Sequence, residues 1–510
     1  MTVTGGPIAN AYDVVVVGSG GGAMTAAAVA ASHGLRCIVL ERTPLIGGTS
    51  AYSGGACWLP GSEVQQRAGL PDSTEGARTY LAAVLQKPDP SRVEAFLAHA
   101  PELVAELEAD PLMDFEWIPF SEYYDAPGRV PMGRSIQPSS IKRAELDPAV
   151  AALLRPPVER DRLGEPGRST LSGGQALIGR LAAMFVRDGG TIATEHHVVE
   201  VRRDAATGRV DGVVAHGPAG PVEVAAGRGV VVAAGGFEGN QRLRDRVGTP
   251  GRAEWTMAPR GTNTGELIEA CAAIGAATDF SGEGWFCPGL AQPGGGGSFT
   301  LGFRGGLMVD QRGRRYGNEC LPYDRFGRIM AAAPERVPSW FVFDSREDGR
   351  LPAIAMPEGD PEAHLAAGTW ARADTVAALA EEIGVDAGTL TATVERFNGF
   401  AADGVDEDFG RGADEYDLFF AAGTGPNKAL VPVDQPPFHA ARFVLSDLGT
   451  KGGLVTDAAG RVLDVDGAPV PGLYASSNST ASVFGSAYPA PGAPLGAAMV
   501  FASLAVRDLL

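Results

Sequence analysis

The chain has 510 residues, of which 45% are hydrophobic and 20% are charged, and its formal net charge is −19. This length suits two or three domains with a large core. The acidic balance excludes nucleic acid as an expected partner, because phosphates demand a basic face, and argues against a polybasic membrane anchor. No apolar run is long enough to predict a transmembrane segment. The five cysteines form no CxxC pair, so we expect a cytoplasmic protein without a disulfide framework.

The first predicted elements are an apolar strand at residues 14–17, a glycine-rich turn, a small-residue helix and a second strand. Gly18 permits the tight turn, Gly20 lets the backbone approach a pyrophosphate, and Ala23 lets the helix pack on the sheet. The helix N-terminus offers N–H groups to the phosphates. Glu41 stands where a carboxylate accepts hydrogen bonds from ribose hydroxyls. Together these features predict an adenine dinucleotide site rather than a purely structural βαβ unit.

The following segments extend this domain. Residues 47–55 are rich in glycine and hydroxyl groups and can wrap N–H groups around a phosphate or a planar ring. Residues 74–107 predict helices with a break at two prolines. An aromatic cluster follows at 115–124, and the Pro- and Arg-rich residues 126–168 predict irregular surface.

Regular structure resumes with a predicted helix at residues 173–187. Strands at 197–201, 210–215 and 222–225 predict an antiparallel β-meander, which precedes a buried, parallel-type strand at 230–232. A meander that interrupts a doubly wound sheet in this way is typical of FAD-binding domains.

The character of the chain then changes. A hairpin is predicted at residues 309–314, a strand at 340–343, and helices near 375–383 and 386–402. The final stretch returns to the first domain, with a strand at 472–475 and a helix that begins near Leu495.

We therefore predict an α/β fold class. A Rossmann-like FAD-binding domain with a β-meander is assigned to residues 1–281 and 444–510. An inserted α+β substrate (catalytic) domain is assigned to residues 282–443.

Several motifs are similar to those of the fumarate reductase and succinate dehydrogenase flavoprotein superfamily, namely residues 47–50, 233–237, 406–410 and 472–474. Within it the chain resembles the 3-ketosteroid Δ1-dehydrogenases at residues 122–124, 318–323, 450–453 and 488–492, and the likeness runs nearly end to end. Relatives that handle dicarboxylates carry a His just upstream of the pair that corresponds to Gly452-Gly453. Residues 447–451 contain no His, so fumarate and succinate are not the expected substrates.

The resemblance implies FAD-dependent 1,2-desaturation of the A ring of 3-ketosteroids, as in steroid degradation. Tyr488 polarises the C3 carbonyl, with the N–H of Gly492 as second donor. Tyr323 is the base that removes the C2 proton, and the hydride leaves from C1 to N5 of FAD in a trans elimination. Tyr123 or Tyr124 supplies the hydroxyl that assists the base, and the sequence does not decide between them.

The same resemblance implies a non-covalent FAD, because no His stands in residues 47–55. The candidate cofactor-binding residues are Gly18, Ser19, Gly20, Gly21, Gly22, Ala23, Glu41, Arg42, Gly47, Gly48, Thr49, Ser50, Ser53, Gly54, Gly55, Val198, Ala234, Gly235, Asn478, Pro494 and Leu495. The candidate lining of an apolar substrate slot, each member equally compatible with ordinary core packing, is Trp117, Phe120, Trp285, Phe303 and Phe326.

Other functions stay open at this stage. A related flavoenzyme acting on another ketosteroid bond, or reducing an α,β-unsaturated acid, shares the cofactor motifs. A flavin-binding subunit that only passes electrons is a third alternative, although no Cys cluster or haem motif offers a second redox centre and no metal site is predicted. The expected electron acceptor is a quinone or an artificial dye. Loose association with a membrane, where quinones and sterols reside, is left open.

Overall fold

The computed structural model describes residues 2–4 and 8–510. The chain folds into two compact units. Unit 1 comprises Met1–Val247, Ala258–Glu283 and Thr450–Leu510, and unit 2 comprises Gly248–Met257 and Gly284–Gly449. The sequence places the domain limits at residues 281–282 and 443–444, whereas the two units change at 283–284 and 449–450, and unit 2 also includes Gly248–Met257.

The strands, in chain order, are β1 Thr2–Thr4, β2 Ala11–Val17, β3 Cys37–Leu40, β4 Cys57–Trp58, β5 Phe115–Trp117, β6 Ser135–Pro138, β7 Ile141–Lys142, β8 Thr170–Leu171, β9 Thr191–Ala193, β10 His197–Arg203, β11 Val210–Gly217, β12 Gly220–Val232, β13 Thr278–Asp279, β14 Gly284–Ala291, β15 Gly297–Leu301, β16 Leu307–Val309, β17 Ser339–Phe343, β18 Ile354–Met356, β19 Trp370–Ala373, β20 Phe438–Thr450, β21 Gly453–Leu454, β22 Arg461–Leu463 and β23 Pro469–Ala475. The α-helices are α1 Gly21–Ser32, α2 Glu63–Arg67, α3 Thr74–Val84, α4 Pro90–Glu108, α5 Pro148–Leu153, α6 Val158–Leu163, α7 Gly173–Arg187, α8 Gln241–Val247, α9 Glu266–Ala273, α10 Tyr323–Ala331, α11 Pro361–Ala366, α12 Val376–Ile383, α13 Ala387–Asp403, α14 Glu415–Phe419 and α15 Ala493–Leu509.

The main sheet of unit 1 has the strand order β1-β9-β3-β2-β12-β11-β10, with β23 paired to β12 and β22 to β23. Strand β2 runs parallel to both neighbours, so that Val17 lies opposite Leu40 on one side and Val232 on the other. The valines of β2 are buried on both faces, as parallel strands covered by helices require. The predicted Rossmann-like α/β class with a β-meander is confirmed.

Strand β12 differs from the prediction of two separate strands at residues 222–225 and 230–232. It is one strand, antiparallel to β11 in its first half and parallel to β2 and β23 in its second half. The register shifts between Ala226 and Gly229. Because a glycine in a strand marks an irregularity rather than a chain reversal, the two glycines here interrupt the pattern without ending the strand.

The prediction of irregular surface for residues 126–168 is wrong. This stretch contains β6, β7, α5 and α6, and Arg134 within it is 2% exposed. Helix α5 begins with a proline at its first position, and the side chain of Asp147 accepts a hydrogen bond from the N–H of Ala149 at 2.8 Å. Proline is tolerated at this helical position, so a composition that suggests a loop conceals a capped helix.

The predicted helices of unit 1 are confirmed. Helices α3 and α4 are separated at the predicted prolines, and each begins at a side-chain cap, Ser73 for α3 and Asp89 for α4. Helix α7 covers Gly173–Arg187, as expected.

Unit 2 is built on a sheet with the order β16-β17-β20-β14-β15-β18, and β19 also pairs with β20. Helices α12 and α13 begin at the caps Thr375 and Asp386 and share a buried cluster with strand residues such as Val342. A second, aromatic cluster contains Phe303 and Phe326. These two candidates for the substrate slot therefore pack in the core of unit 2.

Candidate active site

The turn between β2 and α1 has the conformation that the glycine pattern predicts. Gly18 has φ +103°, and a Cβ there would overlap the carbonyl oxygen of Ala233. The N–H of Gly18 donates to the carbonyl of Leu40 at 2.9 Å. Gly20 then caps α1 in an extended conformation, with no side chain bonded to the helix start. The positive end of the helix dipole is thus left for an anionic ligand.

The backbone around this helix start leaves the space that a dinucleotide needs. A Cβ on Gly20 would come no closer than 3.4 Å to another group, the hydroxyl of Ser50, and one on Gly48 no closer than 4.0 Å, to the Cα of Gly20. A Cβ on Gly54 would meet nothing within 4 Å. Glycines that border open space beside a helix N-terminus fit the pyrophosphate of FAD. The hydroxyl of Ser50 fixes this arrangement by accepting a hydrogen bond from the N–H of Gly21 at 3.0 Å.

Glu41 directly follows β3 and has a buried and oriented carboxylate. One oxygen accepts the Ser19 hydroxyl at 2.6 Å, and the other accepts the N–H and hydroxyl of Thr43 at 2.8 and 2.9 Å. Ser19 in turn accepts the N–H of Gly47 at 2.9 Å. These bonds join three of the predicted cofactor segments at one carboxylate, and a carboxylate has further lone pairs for ribose hydroxyls. Arg42 is more exposed and donates to the hydroxyl of Thr264 at 3.2 Å.

Helix α1 packs directly on α15. A Cβ on Gly21 would overlap the side chain of Leu495, and one on Gly22 would overlap the hydroxyl of Ser477 and approach the carbonyl oxygen of Ala498 at 3.0 Å. The sequence assigns the close-packing role to Ala23, which is fully buried, but Gly21 and Gly22 make the tighter approach.

The remaining cofactor candidates also lie in unit 1. Gly47 and Gly48 have positive φ and lead into a 3-10 helix at Gly48–Tyr52, which carries Thr49. The side chain of Ser53 accepts the N–H of Gly55 at 3.1 Å. Val198 lies at a β-bulge of β10, and Asn478 lies in a 3-10 helix at Ser477–Ser479. The N–H of Ala234 donates to the hydroxyl of Ser479, and Gly235 has left-handed backbone. Pro494 and Leu495 lie in the first turn of α15.

The first turn of α15 also brings Gly492 next to the loop that carries Tyr488. Gly492 caps the helix with φ +78°, and a Cβ there would overlap the carbonyl group of Ala56. Its carbonyl oxygen accepts the N–H of Trp58 at 3.1 Å. Within residues 2–4 and 8–510, no hydrogen bond engages the N–H of Gly492. This N–H at a helix start is therefore available as a donor to a ligand oxygen.

Two of the candidate tyrosines meet in unit 1. The ring centroids of Tyr123 and Tyr488 are 5.2 Å apart, with an angle of 66° between the rings. Both side chains are buried, whereas Tyr124 is intermediate. The ring of Phe120 lies 6.4 Å from that of Tyr123. Trp117 points its indole N–H at the carbonyl of Gly133, at 3.1 Å.

The third tyrosine, Tyr323, belongs to unit 2, where it begins α10. Its ring packs edge-on against Phe299 at 4.8 Å and is 6% exposed. Trp285, a candidate for the slot, is also buried in this unit.

A buried charge network precedes Tyr323 in the chain. Arg315 and Arg411 both donate to the carboxylate of Glu319, at 2.9 and 3.0 Å. Burial alone would raise the pKa of Glu319, but the two guanidinium groups outweigh it and hold the pKa below its usual value. Glu319 also accepts the N–H of Met308 at 3.0 Å, so an ionised carboxylate fixes the segment that leads to Tyr323.

Sequence reasoning missed three residues that hold the Tyr488 loop. Tyr80 donates to the carbonyl of Pro489 at 2.7 Å, Ser135 donates to that of Pro491 at 2.6 Å, and Trp58 reaches Gly492 as described. Tyr80 lies on the apolar face of α3, where helical spacing predicts only core packing. No local signal distinguishes such an aromatic residue from ordinary core.

Across residues 2–4 and 8–510, no helix combines the length and the apolar character that crossing a lipid bilayer requires.

The parallel sheet, the glycine-bordered space at the start of α1 and the oriented carboxylate of Glu41 define an FAD-dependent oxidoreductase. The FAD binding domain family matches residues 13–495. The chain is 40% identical to a 3-oxosteroid 1-dehydrogenase of Rhodococcus opacus, over 98% of both chains. It therefore belongs to the 3-oxosteroid 1-dehydrogenase family.

Two further comparisons refine this placement. A 4-oxocyclohexanecarboxylate 2-dehydrogenase of Sinomonas cyclohexanicum is 35% identical, over 98% of this chain and 92% of that protein. The crystal structure of 3-ketosteroid Δ1-dehydrogenase from Sterolibacterium denitrificans, in complex with 1,4-androstadiene-3,17-dione, superposes with a TM-score of 0.90 and 33% identity over 98% of this chain and 99% of that chain.

Proposed function

We propose that this protein desaturates the C1–C2 bond of the A ring of 3-ketosteroids with FAD as oxidant. The observation that carries the proposal is the available N–H of Gly492, which lies at the start of α15 and four residues after Tyr488. Two donors that converge on one ketone oxygen stabilise the enolate that forms as the neighbouring proton leaves.

The names of the relatives support the same chemistry. In a 3-oxosteroid 1-dehydrogenase, the dehydrogenated position is two carbons from the ketone carbon. The numbering of a 4-oxocyclohexanecarboxylate 2-dehydrogenase describes the same relationship on a single ring. Both names therefore describe a six-membered ring ketone that loses hydrogen from its α and β carbons. The ketone is the group that Tyr488 and Gly492 are assigned to bind.

The roles of the other residues follow from what the reaction requires. Tyr323 is assigned to remove the C2 proton. A phenol is a weak base near neutral pH, since its ordinary pKa is about 10, so a second hydroxyl is needed to stabilise the phenolate or relay the proton. Of the two candidates, Tyr123 is favoured because it is buried and packs on Tyr488, whereas Tyr124 is less buried. FAD held at the start of α1 would supply the acceptor for the hydride from C1.

The test is anaerobic mixing of the purified yellow protein with 4-androstene-3,17-dione. We expect loss of the oxidised flavin absorbance and formation of 1,4-androstadiene-3,17-dione, identified by mass spectrometry. A parallel sample receives 4-oxocyclohexanecarboxylate. Reduction by the small keto acid and not by the steroid would overturn the steroid assignment. Flavin that stays oxidised with both ketones would refute the proposed reaction.

We also propose that FAD is held without a covalent bond, that a quinone or an artificial dye reoxidises it, and that the enzyme works in the cytoplasm. The absence of His from residues 47–55 supports the first point, and the sparse cysteines support the last. Acid precipitation should release all of the flavin into the supernatant. Stopped-flow mixing of the reduced enzyme with menadione should restore the oxidised spectrum faster than air does.

A further inference from the structure

We propose that Tyr80 is a positioning residue, which locks the backbone of Tyr123 to the loop that carries Tyr488. The inference rests on the proposed function, since it concerns how the residues assigned to the ketone and to the proton are held. All of the residues involved belong to unit 1.

The hydroxyl of Tyr80 is at the centre of a three-way junction. It donates to the carbonyl oxygen of Pro489 at 2.7 Å and accepts the N–H of Tyr124 at 3.2 Å. The N–H of Tyr123 donates to the same Pro489 carbonyl at 3.0 Å. Pro489 directly follows Tyr488, so a shift of either the Tyr488 loop or the Tyr123–Tyr124 segment stretches two of the three hydrogen bonds.

Packing around the Tyr80 ring fixes the orientation of its hydroxyl. The side chain is fully buried on α3, and its ring lies 6.4 Å from that of Trp58. Burial raises the pKa of Tyr80 far above its usual value, so the hydroxyl keeps its proton and remains a donor at every working pH. The backbone N–H of Trp58 also donates to the carbonyl of Gly492. The aromatic pair of Tyr80 and Trp58 is therefore connected to Gly492, whose N–H is the second proposed donor to the ketone.

A buried ion network fixes the other side of Tyr123. The carboxylate of Glu122, fully buried, accepts Arg134 at 2.6 and 2.7 Å, the indole N–H of Trp58 at 2.9 Å and the N–H of Val130 at 2.9 Å. Arg134 also donates to Asp72 at 2.5 Å. The residue before Tyr123, Glu122, is therefore held by its ion pair with Arg134, and the residue after it, Tyr124, is held by the hydroxyl of Tyr80. Because the ion network remains when the Tyr80 hydroxyl is removed, we expect the fold to survive while the alignment of Tyr123 with Tyr488 is lost.

Loss of the Tyr80 hydroxyl should affect the rate of the reaction and not the binding of steroid. Substitution of Tyr80 by phenylalanine leaves the ring packing in place but removes a donor from Pro489 and a partner from the N–H of Tyr124. Steroid binding depends mainly on apolar contact, which this change does not touch. Proton removal at C2 depends on placing the ketone donors and the base within a fraction of an ångström, so kcat falls while KM stays.

The experiment compares Tyr80→Phe with wild type and with Tyr474→Phe. Tyr474 is a matched control, because it lies in the same unit and its hydroxyl donates a hydrogen bond to Asp508 at 2.7 Å, away from the tyrosines assigned to the reaction. Anaerobic flavin reduction is followed at several concentrations of 4-androstene-3,17-dione, unlabelled and deuterated at C2. FAD content and unfolding temperature are measured for each variant.

We expect Tyr474→Phe to reduce its flavin at the wild-type rate. We expect Tyr80→Phe to be slower by about tenfold or more, with an unchanged steroid concentration at half-maximal rate and a larger C2 deuterium isotope effect. The isotope effect is the readout that general loosening of the fold does not produce. Equal rates for the two variants would overturn the positioning role. A slower Tyr80→Phe that loses FAD or binds steroid more weakly, with no change in the isotope effect, would also overturn it. Failure of the wild type to be reduced would refute the proposed function itself, and this inference with it.

Discussion

The ring of Tyr123 packs edge-on against that of Tyr488, with 5.2 Å between their centroids. Edge-to-face aromatic contact at this separation is favourable and directional. It couples the residue proposed to assist the base to the residue proposed to bind the ketone, so substitution at either position tests the pairing.

Tyr488→Phe should slow flavin reduction by 4-androstene-3,17-dione about 10²-fold or more, because one donor to the developing enolate oxygen is lost while the ring contact with Tyr123 is kept. Stopped-flow absorbance gives the rate. FAD content should match wild type, since Tyr488 is not among the cofactor candidates. A rate within twofold of wild type would contradict the assigned role.

Gly492→Ala should destabilise the protein by several kcal/mol, because the left-handed backbone is strained for alanine and the new Cβ would overlap the carbonyl of Ala56. Gly485→Ala is the control. Gly485 has φ +56°, but a Cβ there meets nothing within 4 Å, so we expect a loss of only about 1 kcal/mol. Denaturant unfolding measures both. Equal losses would mean that backbone conformation, and not the contact with Ala56, makes Gly492 necessary.

Glu41→Gln should weaken FAD binding about tenfold to a hundredfold, since hydrogen bonds to a charged acceptor contribute about 1.5–3 kcal/mol. The amide also disturbs the bonds from Ser19 and Thr43. Fluorescence titration of the deflavinated protein with FAD gives the affinity. Asp13→Asn, which breaks an exposed pair with Arg36 in the same βαβ unit, should leave the affinity unchanged.

His364 should make stability depend on pH. The side chain is buried in unit 2, stacks on Trp370 at 4.9 Å and hydrogen-bonds to Thr369 at 2.8 Å. Burial lowers the pKa of His364 to about 4, although the carboxylate of Asp360 opposes the shift. The unfolded chain takes up the proton near pH 6.5 and the folded protein only near pH 4, so stability that is present above pH 6.5 is lost as the pH falls through this window.

His364→Gln tests this prediction, because glutamine cannot take up a proton in the same range. At pH 7.5 the variant should be less stable than wild type, since it loses the contact with Trp370. The difference in unfolding free energy between wild type and variant should shrink as the pH falls from 6.5 to 4, because only the wild type loses stability by keeping its buried ring neutral. A difference that stays constant with pH would refute the role of His364.

The sequence predicts the elements whose signals are local. The strand–glycine–helix start and the helices α3, α4, α7, α12 and α13 all follow from short patterns. It fails at Pro148, which looks like a loop residue but begins α5. It also fails at Arg134, whose charge suggests the surface but whose partners Glu122 and Asp72 stand 12 and 62 residues away along the chain. Pairings of this kind depend on tertiary contacts that composition does not encode.

The candidate site divides in the same way. The glycine turn and Glu41 are read directly from spacing. Spacing does not distinguish Tyr123 from Tyr124, because adjacent residues in an extended segment point in opposite directions. Only the packing of Tyr123 on Tyr488 shows which of the two faces inward. Tyr80 has no sequence signal, since its importance lies in a hydrogen bond to a loop at the other end of the chain.

The single strand β12 has a consequence for how the protein folds. It pairs with β2, from the beginning of the chain, and with β23, from near its end, while most of unit 2 is one continuous stretch between β12 and β23. Contacts between remote segments form slowly, because the chain must give up loop entropy before they are gained. We therefore expect unit 2 to reach its native structure early and the central sheet of unit 1 to close last, so that the capacity to take up flavin is acquired only at the end of folding.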